Sequence, residues 1–425
     1  MELFIKKFFK GDRVVWILLL ILMSLSVIEC FSAMGTLAYK DVGALFEPIF
    51  RHARLLLLGL ATVILLHHIP YSWTGAIAPF AMIVSIVLLL VALFSKAGVE
   101  MNDARRWVEV FGIEFQPSEI AKFSLVMYLA WTLGRAHRSE DGMVKAFWKV
   151  ILATGIICAL IVTQNMSTAI MIAVFSYLML IVAGAPKKHM IWLTAIVGGA
   201  ALLMYIALTS IPDIPGVDRW ASWHNRLVTN SVDVLDPSYT RTDENSQEHY
   251  AKIAISQGKF LGSLPGNSSQ RDFLPQAYSD FIYAIIIEDM GWFGMVLVPA
   301  LYIILLFRCR KIAKSCTKMT PALLAMGAGL IVALQAFVNM AVAVGFFPVT
   351  GQTLPILSRG GTSGIITCWY FALILSVSRY GASESEDEVW QAEDQELDRM
   401  EAERQVEAET EATDMSAEDY ASMAE

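Results

Sequence analysis

Charged side chains are scarce in this chain. Asp, Glu, Lys and Arg make up 17% of its 425 residues, where a soluble domain carries about a quarter. With 56% hydrophobic residues and a mean hydropathy of +0.54, that scarcity excludes a soluble globular protein and points to one embedded in a bilayer. Cysteine is rare as well. Cys30, Cys158, Cys309, Cys316 and Cys368 are scattered and odd in number, which fits neither a disulfide framework nor a metal site. His224 and His249 stand outside any ligand spacing and read as loop residues, while His67 and His68 close an apolar run. The chain has no Ser/His/Asp signature, no Walker loop and no HExxH. Its first apolar run is long and lacks a small-residue cleavage site, so no cleavable signal peptide is expected.

What is abundant is long apolar runs. A membrane span needs about 20 apolar residues, and the sequence predicts ten spans: Val14–Leu37, Leu55–Ile69, Ala76–Phe94, Ile120–Leu133, Val150–Val162, Thr168–Ala183, Ile191–Ile211, Phe281–Phe307, Ala322–Val344 and Ile365–Val377. The fourth and fifth are short, and need amphipathic flanks or burial to serve. The expected fold class is therefore an all-α polytopic membrane protein with a large extracytoplasmic loop, 212–279, between spans seven and eight. Residues 1–13 form a cytoplasmic N-terminus and 14–380 the membrane domain. After Gly381 come seventeen acids and two bases, a composition that cannot bury a core and reads as a disordered cytoplasmic tail, 381–425.

Short-loop bases set the orientation. With both termini cytoplasmic, the inner segments hold Lys6, Lys7, Lys10, Arg13, Arg135, Arg138, Lys145, Lys149, Lys187, Lys188, Arg308, Arg310, Lys311, Lys314 and Lys318. Three Gly/Pro-rich segments then lie outside: 98–118, 212–279 and 345–364. They carry Arg105, Arg106, Arg271 and Arg359, cations on the side where topology disfavours them. Several guanidinium groups there suit an anionic ligand such as phosphate, whereas any one alone reads as a snorkelling or surface-paired side chain.

The most informative stretch is GSLPGNSSQRDFLPQAYSDFIYAIIIEDMG, 262–291, where irregular polar backbone runs straight into an apolar helix. Asp280 stands at the junction. Its bland reading is a helix N-cap; its functional reading is a carboxylate held where water meets the membrane. Glu288 and Asp289, about two turns deeper, are not explained by a cap. From the residues alone the chain has an outward cavity for an amphipathic anionic ligand, and it is either a transporter or a transferase.

Three segments, GIEFQPSEIAKF, GNSSQRDFLPQAYSDFIYAIIIEDMGWFG and VNMAVAVGFFPVTGQTLPILSRGGTSG, resemble the SEDS family of bacterial cell-wall proteins, which includes FtsW, RodA and SpoVE. The likeness covers everything from about Val14 to Tyr380. It implies a peptidoglycan glycosyltransferase of the cytoplasmic (inner) membrane that polymerises lipid II at the outer face. The family's essential acid matches Asp280 in YSDFIYA. By that resemblance Asp280 is the general base that deprotonates the acceptor 4-hydroxyl, which displaces undecaprenyl pyrophosphate from the growing glycan with one inversion.

The resemblance also implies substrate contacts. These are Arg105, Arg106, Trp107, Gln116, Ser118, Glu119 and Lys122 from the first outer connection and the helix behind it; Asn267, Ser268, Gln270, Arg271, Pro275 and Glu288 from the second motif; and Pro355, Ser358, Arg359, Gly360, Gly361 and Ser363 from the third. The expected cofactor is a divalent cation, Mg or Mn, with unassigned ligands and no nucleotide or organic group. Expected partners are lipid II, the undecaprenyl pyrophosphate-linked glycan, a class B penicillin-binding protein and other divisome membrane proteins, with no nucleic acid. GQTLPILSRGGTS resembles the division branch, since elongation members usually carry Pro where this chain has Thr353. QNMSTA replaces a QPDLGTA-like segment, so no acid carries over there. Two rival readings are a lipid II flippase and a non-catalytic scaffold for a transpeptidase.

Overall fold

The computed structural model describes residues 10–33, 47–94, 98–101, 104–110, 113–137, 139–211, 220, 224, 243–274 and 277–380. The cytoplasmic N-terminus expected at 1–13 is thus mostly, and the tail at 381–425 wholly, outside the described residues.

The chain is nearly all helical. Its long helices are α1 (Arg13–Ala33), α2 (Glu47–Leu66), α3 (Ser72–Phe94), α4 (Pro117–Ala136), α5 (Glu140–Val162), α6 (Met166–Val182) and α7 (Lys187–Ser210). There follow α8 (Asp243–Gly258), α9 (Ile282–Lys314), α10 (Met319–Ala343) and α11 (362–380). Among the described residues, seven of these are long and apolar enough to cross a membrane: α1, α2 from Ile49, α3, α5, α7, α9 and α10. Over the described residues each of the ten expected segments is mostly helical, the eighth with a break at Gly291. The two that look short are longer than their apolar stretches. Pro117 starts α4 at a position where its missing N–H costs nothing. The Ser139 hydroxyl caps α5 through Gly142 N–H at 3.1 Å, with Glu140 and Asp141 in the favourable first turn.

Two features depart from the all-α expectation. The first outer connection is a three-stranded antiparallel sheet, β1 (Gly98–Met101), β2 (Ala104–Val110) and β3 (Ile113–Phe115), with Val99 opposite Trp107 and Val108 opposite Phe115. Its RRWVEV core is aromatic and β-branched, a strand composition that a search for apolar runs passes over. The 212–279 loop also contains a helix, α8, which packs on α9.

α9 packs along α10 and α1, and α10 packs on α4. The core between them is apolar, with Leu19, Leu125, Leu129, Tyr302 and Phe371 fully buried. The periphery is apolar too: Leu65, Phe80, Phe94, Ile191 and Leu203 are exposed, and α7 buries only Leu208. Such an outer surface is stable against hydrocarbon rather than water. Asp12 N–H donates to the Ser378 hydroxyl at 2.6 Å, and Arg308 pairs with Asp12. These contacts gather the start of α1 and the ends of α9 and α11 at one end of the bundle. Asp280 precedes the first half of α9, which folds back at Gly291 so that Tyr283 OH donates to Met295 O at 2.8 Å.

Candidate active site

Asp280 is half-buried in a turn that precedes α9. The cap expectation fails here: the N-cap position belongs to Phe281, with no side-chain cap. Instead the Ser279 hydroxyl donates to Asp280 Oδ1 at 3.0 Å, and Asn339 Nδ2 donates to the Asp280 carbonyl at 2.8 Å.

The 351–361 segment is tied to the same turn. Ser358 Oγ donates to Ser279 O at 2.6 Å and accepts from Leu354 N–H at 2.7 Å. Arg359 N–H donates to Tyr278 O at 2.9 Å, and its guanidinium lies 5.4 Å from the Tyr278 ring centre. Tyr302 OH donates to Pro355 O at 2.6 Å. Between these anchors Ile356 is held at φ 66°, a left-handed conformation that a β-branched residue adopts only under constraint. Ser363 Oγ donates to Gly360 O at 2.8 Å, which fixes the Gly360–Gly361 turn into α11.

Buried polar side chains brace this segment from behind. Lys122 pairs with Glu119 at 2.7 Å and donates to Gln335 Oε1 at 2.7 Å; Gln335 Nε2 donates to Thr353 O at 3.1 Å. Asn339 Nδ2 also donates to Gln352 O at 2.6 Å, and Gln352 Nε2 donates to Thr168 Oγ1 at 2.6 Å. Gln335, Asn339, Gln352 and Thr168 were not among the sequence-predicted contacts. Two amides one turn apart in an otherwise apolar 25-residue helix are the signal that identifies the first pair.

The expected contacts do not form one cluster. Asp280, Pro355, Ser358, Arg359, Gly360, Gly361 and Ser363 gather at the turn, with Glu119 and Lys122 joined through Gln335. Gln116 and Ser118 line a small pocket with Asn165 and Leu89 at the start of α4. Arg105, Arg106 and Trp107 lie on β2, where only their backbone is described, and Pro275 lies outside the described residues.

The remainder form a separate knot around Glu288. α9 is not continuous there. Gly291, at φ 59° and ψ −142°, breaks it after residue 290, so Glu288 and Asp289 end a short half-helix rather than sit mid-span. Residues 258–272 wrap this end. Ser263 N–H and Leu264 N–H reach the carbonyls of Glu288 and Asp289 at 2.9 and 2.8 Å. The Glu288 carboxylate, 1% exposed, accepts from Ser269 N–H at 2.8 Å, Gln270 N–H at 3.3 Å and the Ser268 hydroxyl. Arg271 Nη1 donates to Ser32 O at 3.0 Å and Gly266 O at 2.8 Å, and Asn267 Nδ2 to Ser263 O at 3.1 Å. Here Glu288, Ser268, Gln270, Arg271 and Asn267 hold the loop to the half-helix, about two turns of α9 from Asp280. Among the described residues no three Asp, Glu, His or Cys side chains gather to hold a metal ion.

Residues 12–383 match the FtsW/RodA/SpoVE cell cycle protein family. The chain belongs to this family. It is 32% identical over 361 residues to the probable peptidoglycan glycosyltransferase FtsW of Nitrosococcus halophilus, covering 84% of this chain and 89% of that one. Among solved structures, a peptidoglycan synthase complex that coordinates polymerisation and crosslinking superposes with a TM-score of 0.66 at 25% identity, over 87% of this chain and 98% of that one. The rod shape determining protein RodA of Thermus thermophilus shares the fold, with a TM-score of 0.61 at 24% identity over 87% and 97%. A family of polytopic membrane proteins thus accounts for the apolar outer surface.

Proposed function

We propose that this chain is a peptidoglycan glycosyltransferase that polymerises lipid II at the outer face of the bacterial cytoplasmic membrane, for septal wall synthesis in cell division. The observation that carries the reading is the setting of Asp280, a half-buried carboxylate whose turn is bonded to the 351–361 segment that carries Ser358 and Arg359. A base must be within hydrogen-bond reach of the hydroxyl it deprotonates, and the bonds from Ser358 and Arg359 hold the turn that presents this carboxylate.

In the reaction, Asp280 takes the proton of the acceptor 4-hydroxyl. The oxygen attacks the anomeric carbon of the donor chain, and the carbon–oxygen bond to undecaprenyl pyrophosphate breaks with its electron pair on the leaving phosphate. An α-linked donor becomes a β-linked product. Arg359, beside Tyr278, is placed to meet charge on the departing group, and Arg105 and Arg106 join it from the outer connection.

Ten spans fit this reading: α4, α6 and α11 cross with the seven apolar helices, their polar residues turned inward. The exposed Arg310, Lys311, Lys314 and Lys318 mark the cytoplasmic end by the bias of short-loop bases. On this reading both termini are cytoplasmic, the 212–279 loop joins spans seven and eight, and Asp280 faces the outer side. The FtsW name of the relatives supports a septal role, and the solved synthase complex supports a class B penicillin-binding protein as partner. Other divisome proteins join on the same reading.

The test is incubation of the purified full-length chain, with its transpeptidase partner, with fluorescent lipid II. A ladder of glycan strands is expected. Passage of lipid II across vesicles without polymer returns the flippase reading, and neither result returns the scaffold.

A further inference from the structure

Asp280 lies just ahead of α9, so the regular hydrogen bonding of the helix does not fix its peptide plane; the first such bonds run from Ala284 and Ile285 N–H to Phe281 O, at 3.0 and 3.4 Å. The Asp280 carbonyl is held instead by a side chain from another helix. Asn339, 1% exposed on α10, donates through Nδ2 to Asp280 O at 2.8 Å and to Gln352 O at 2.6 Å. Two carbonyls facing one end of the amide dictate which end is nitrogen, since only nitrogen donates. Gln352 is in turn held by Thr168 at 2.6 Å.

The other end of the same amide is telling. Asn339 Oδ1 is buried with no hydrogen-bond partner among the described residues. A half-satisfied amide in an apolar helix is a poor device for stability, because an unpaired buried acceptor carries a desolvation cost. What it does provide is a fixed separation between the Asp280 backbone and the 352–359 segment that carries Ser358 and Arg359.

We infer that Asn339 is a positioning residue for Asp280: it clamps the backbone of the base to the segment facing it, and so sets the direction of the carboxylate toward the acceptor hydroxyl. The inference rests on the reading of Asp280 as the base. It does not require Asn339 to touch substrate. Displacing a catalytic group by about 1 Å lowers turnover by up to about a hundredfold, while Ser358 and Arg359 keep their own anchors to Ser279 O and Tyr278 O.

The test is steady-state polymerisation of lipid II by the full-length chain with its transpeptidase partner, using Asn339→Leu, Gln335→Leu and Asp280→Asn beside wild type. At equal folded concentration the Asn339→Leu variant is expected to lower kcat about 10–100-fold with KM within about threefold. Its loss should exceed that of Gln335→Leu, which releases Thr353 O but not Asp280. Wild-type kcat in a folded Asn339→Leu protein overturns the inference, as does a fall in kcat that only tracks loss of folded protein. If the leucine variant fails to fold, Asn339→Ser decides: reduced kcat at unchanged KM supports the clamp, and wild-type kcat overturns it. Activity in Asp280→Asn instead removes the base assignment. An inactive Asp280→Asn with a fully active Asn339→Leu removes only the clamp.

Discussion

Lys122 and Gln335 meet at 2.7 Å between α4 and α10, where the Lys122 side chain exposes none of its surface. Through Gln335 the ammonium is linked to the carbonyl of Thr353, and on its other side it neutralises Glu119 at 2.7 Å. A charge this deep is tolerable only because it is paired and hydrogen-bonded on each side. The pair is thus a prop for the backbone of 351–358 more than a free cation for substrate.

Removing one partner of that pair strands the other. Lys122→Met should destabilise the protein by about 3–5 kcal/mol, and the double change Lys122→Met with Glu119→Gln should recover much of the loss. Melting of the detergent-solubilised protein in a double-mutant cycle measures this. An unstable double variant with a stable single one contradicts the assignment.

Glu29 presents the opposite case. It is fully buried on α1, and neither carboxyl oxygen has a hydrogen-bond partner among the described residues. One turn on, Ser32 donates to the Asp289 carboxylate, so Glu29 faces an acidic neighbour. Replacing an unpaired buried acid by an apolar side chain of similar volume removes an uncompensated polar burial. Glu29→Leu should raise the melting temperature. A clear fall would show that Glu29 makes a stabilising contact.

The break in α9 depends on one residue. A Cβ on Gly291 would lie 2.6 Å from Gly262 N and from Phe260 O, at a φ of 59°. Both the contact and the backbone conformation oppose a side chain. Gly291→Ala should therefore loosen the 258–272 wrap, read as faster proteolysis within that segment and a lower melting temperature. Unchanged proteolysis would mean that the wrap does not need the break.

Much of this was legible in the sequence, for reasons that differ by residue. The helices announce themselves through apolar runs, and Asp280 stands out as a carboxylate where polar loop meets apolar helix. The ends of α4 and α5 were hidden, because Pro117–Glu119 is polar and Glu140–Lys149 interleaves charged with apolar residues, so neither extends an unbroken apolar run. The β1–β3 meander was hidden for a similar reason, its arginines masking a strand pattern. Glu288 and Asp289 look like mid-span acids only until Gly291 is seen to end the half-helix, and a lone glycine carries that information faintly. Gln335 and Asn339 were open to view as paired polar positions in α10. Their partners were not, since Thr353, Gln352 and Asp280 come from elsewhere in the chain.

The most direct measurement is single-turnover glycan bond formation from labelled lipid II, with the partner transpeptidase present, comparing wild type, Asp280→Asn and Asp280→Glu at equal folded concentration. If Asp280 is the base, Asp280→Asn should lose about 10²–10⁴-fold in rate, bind lipid II as well as wild type, and exceed the loss in Asp280→Glu, which keeps a displaced carboxylate. Equal rates in wild type and Asp280→Asn would contradict the account and leave Asp280 as a structural residue of the turn.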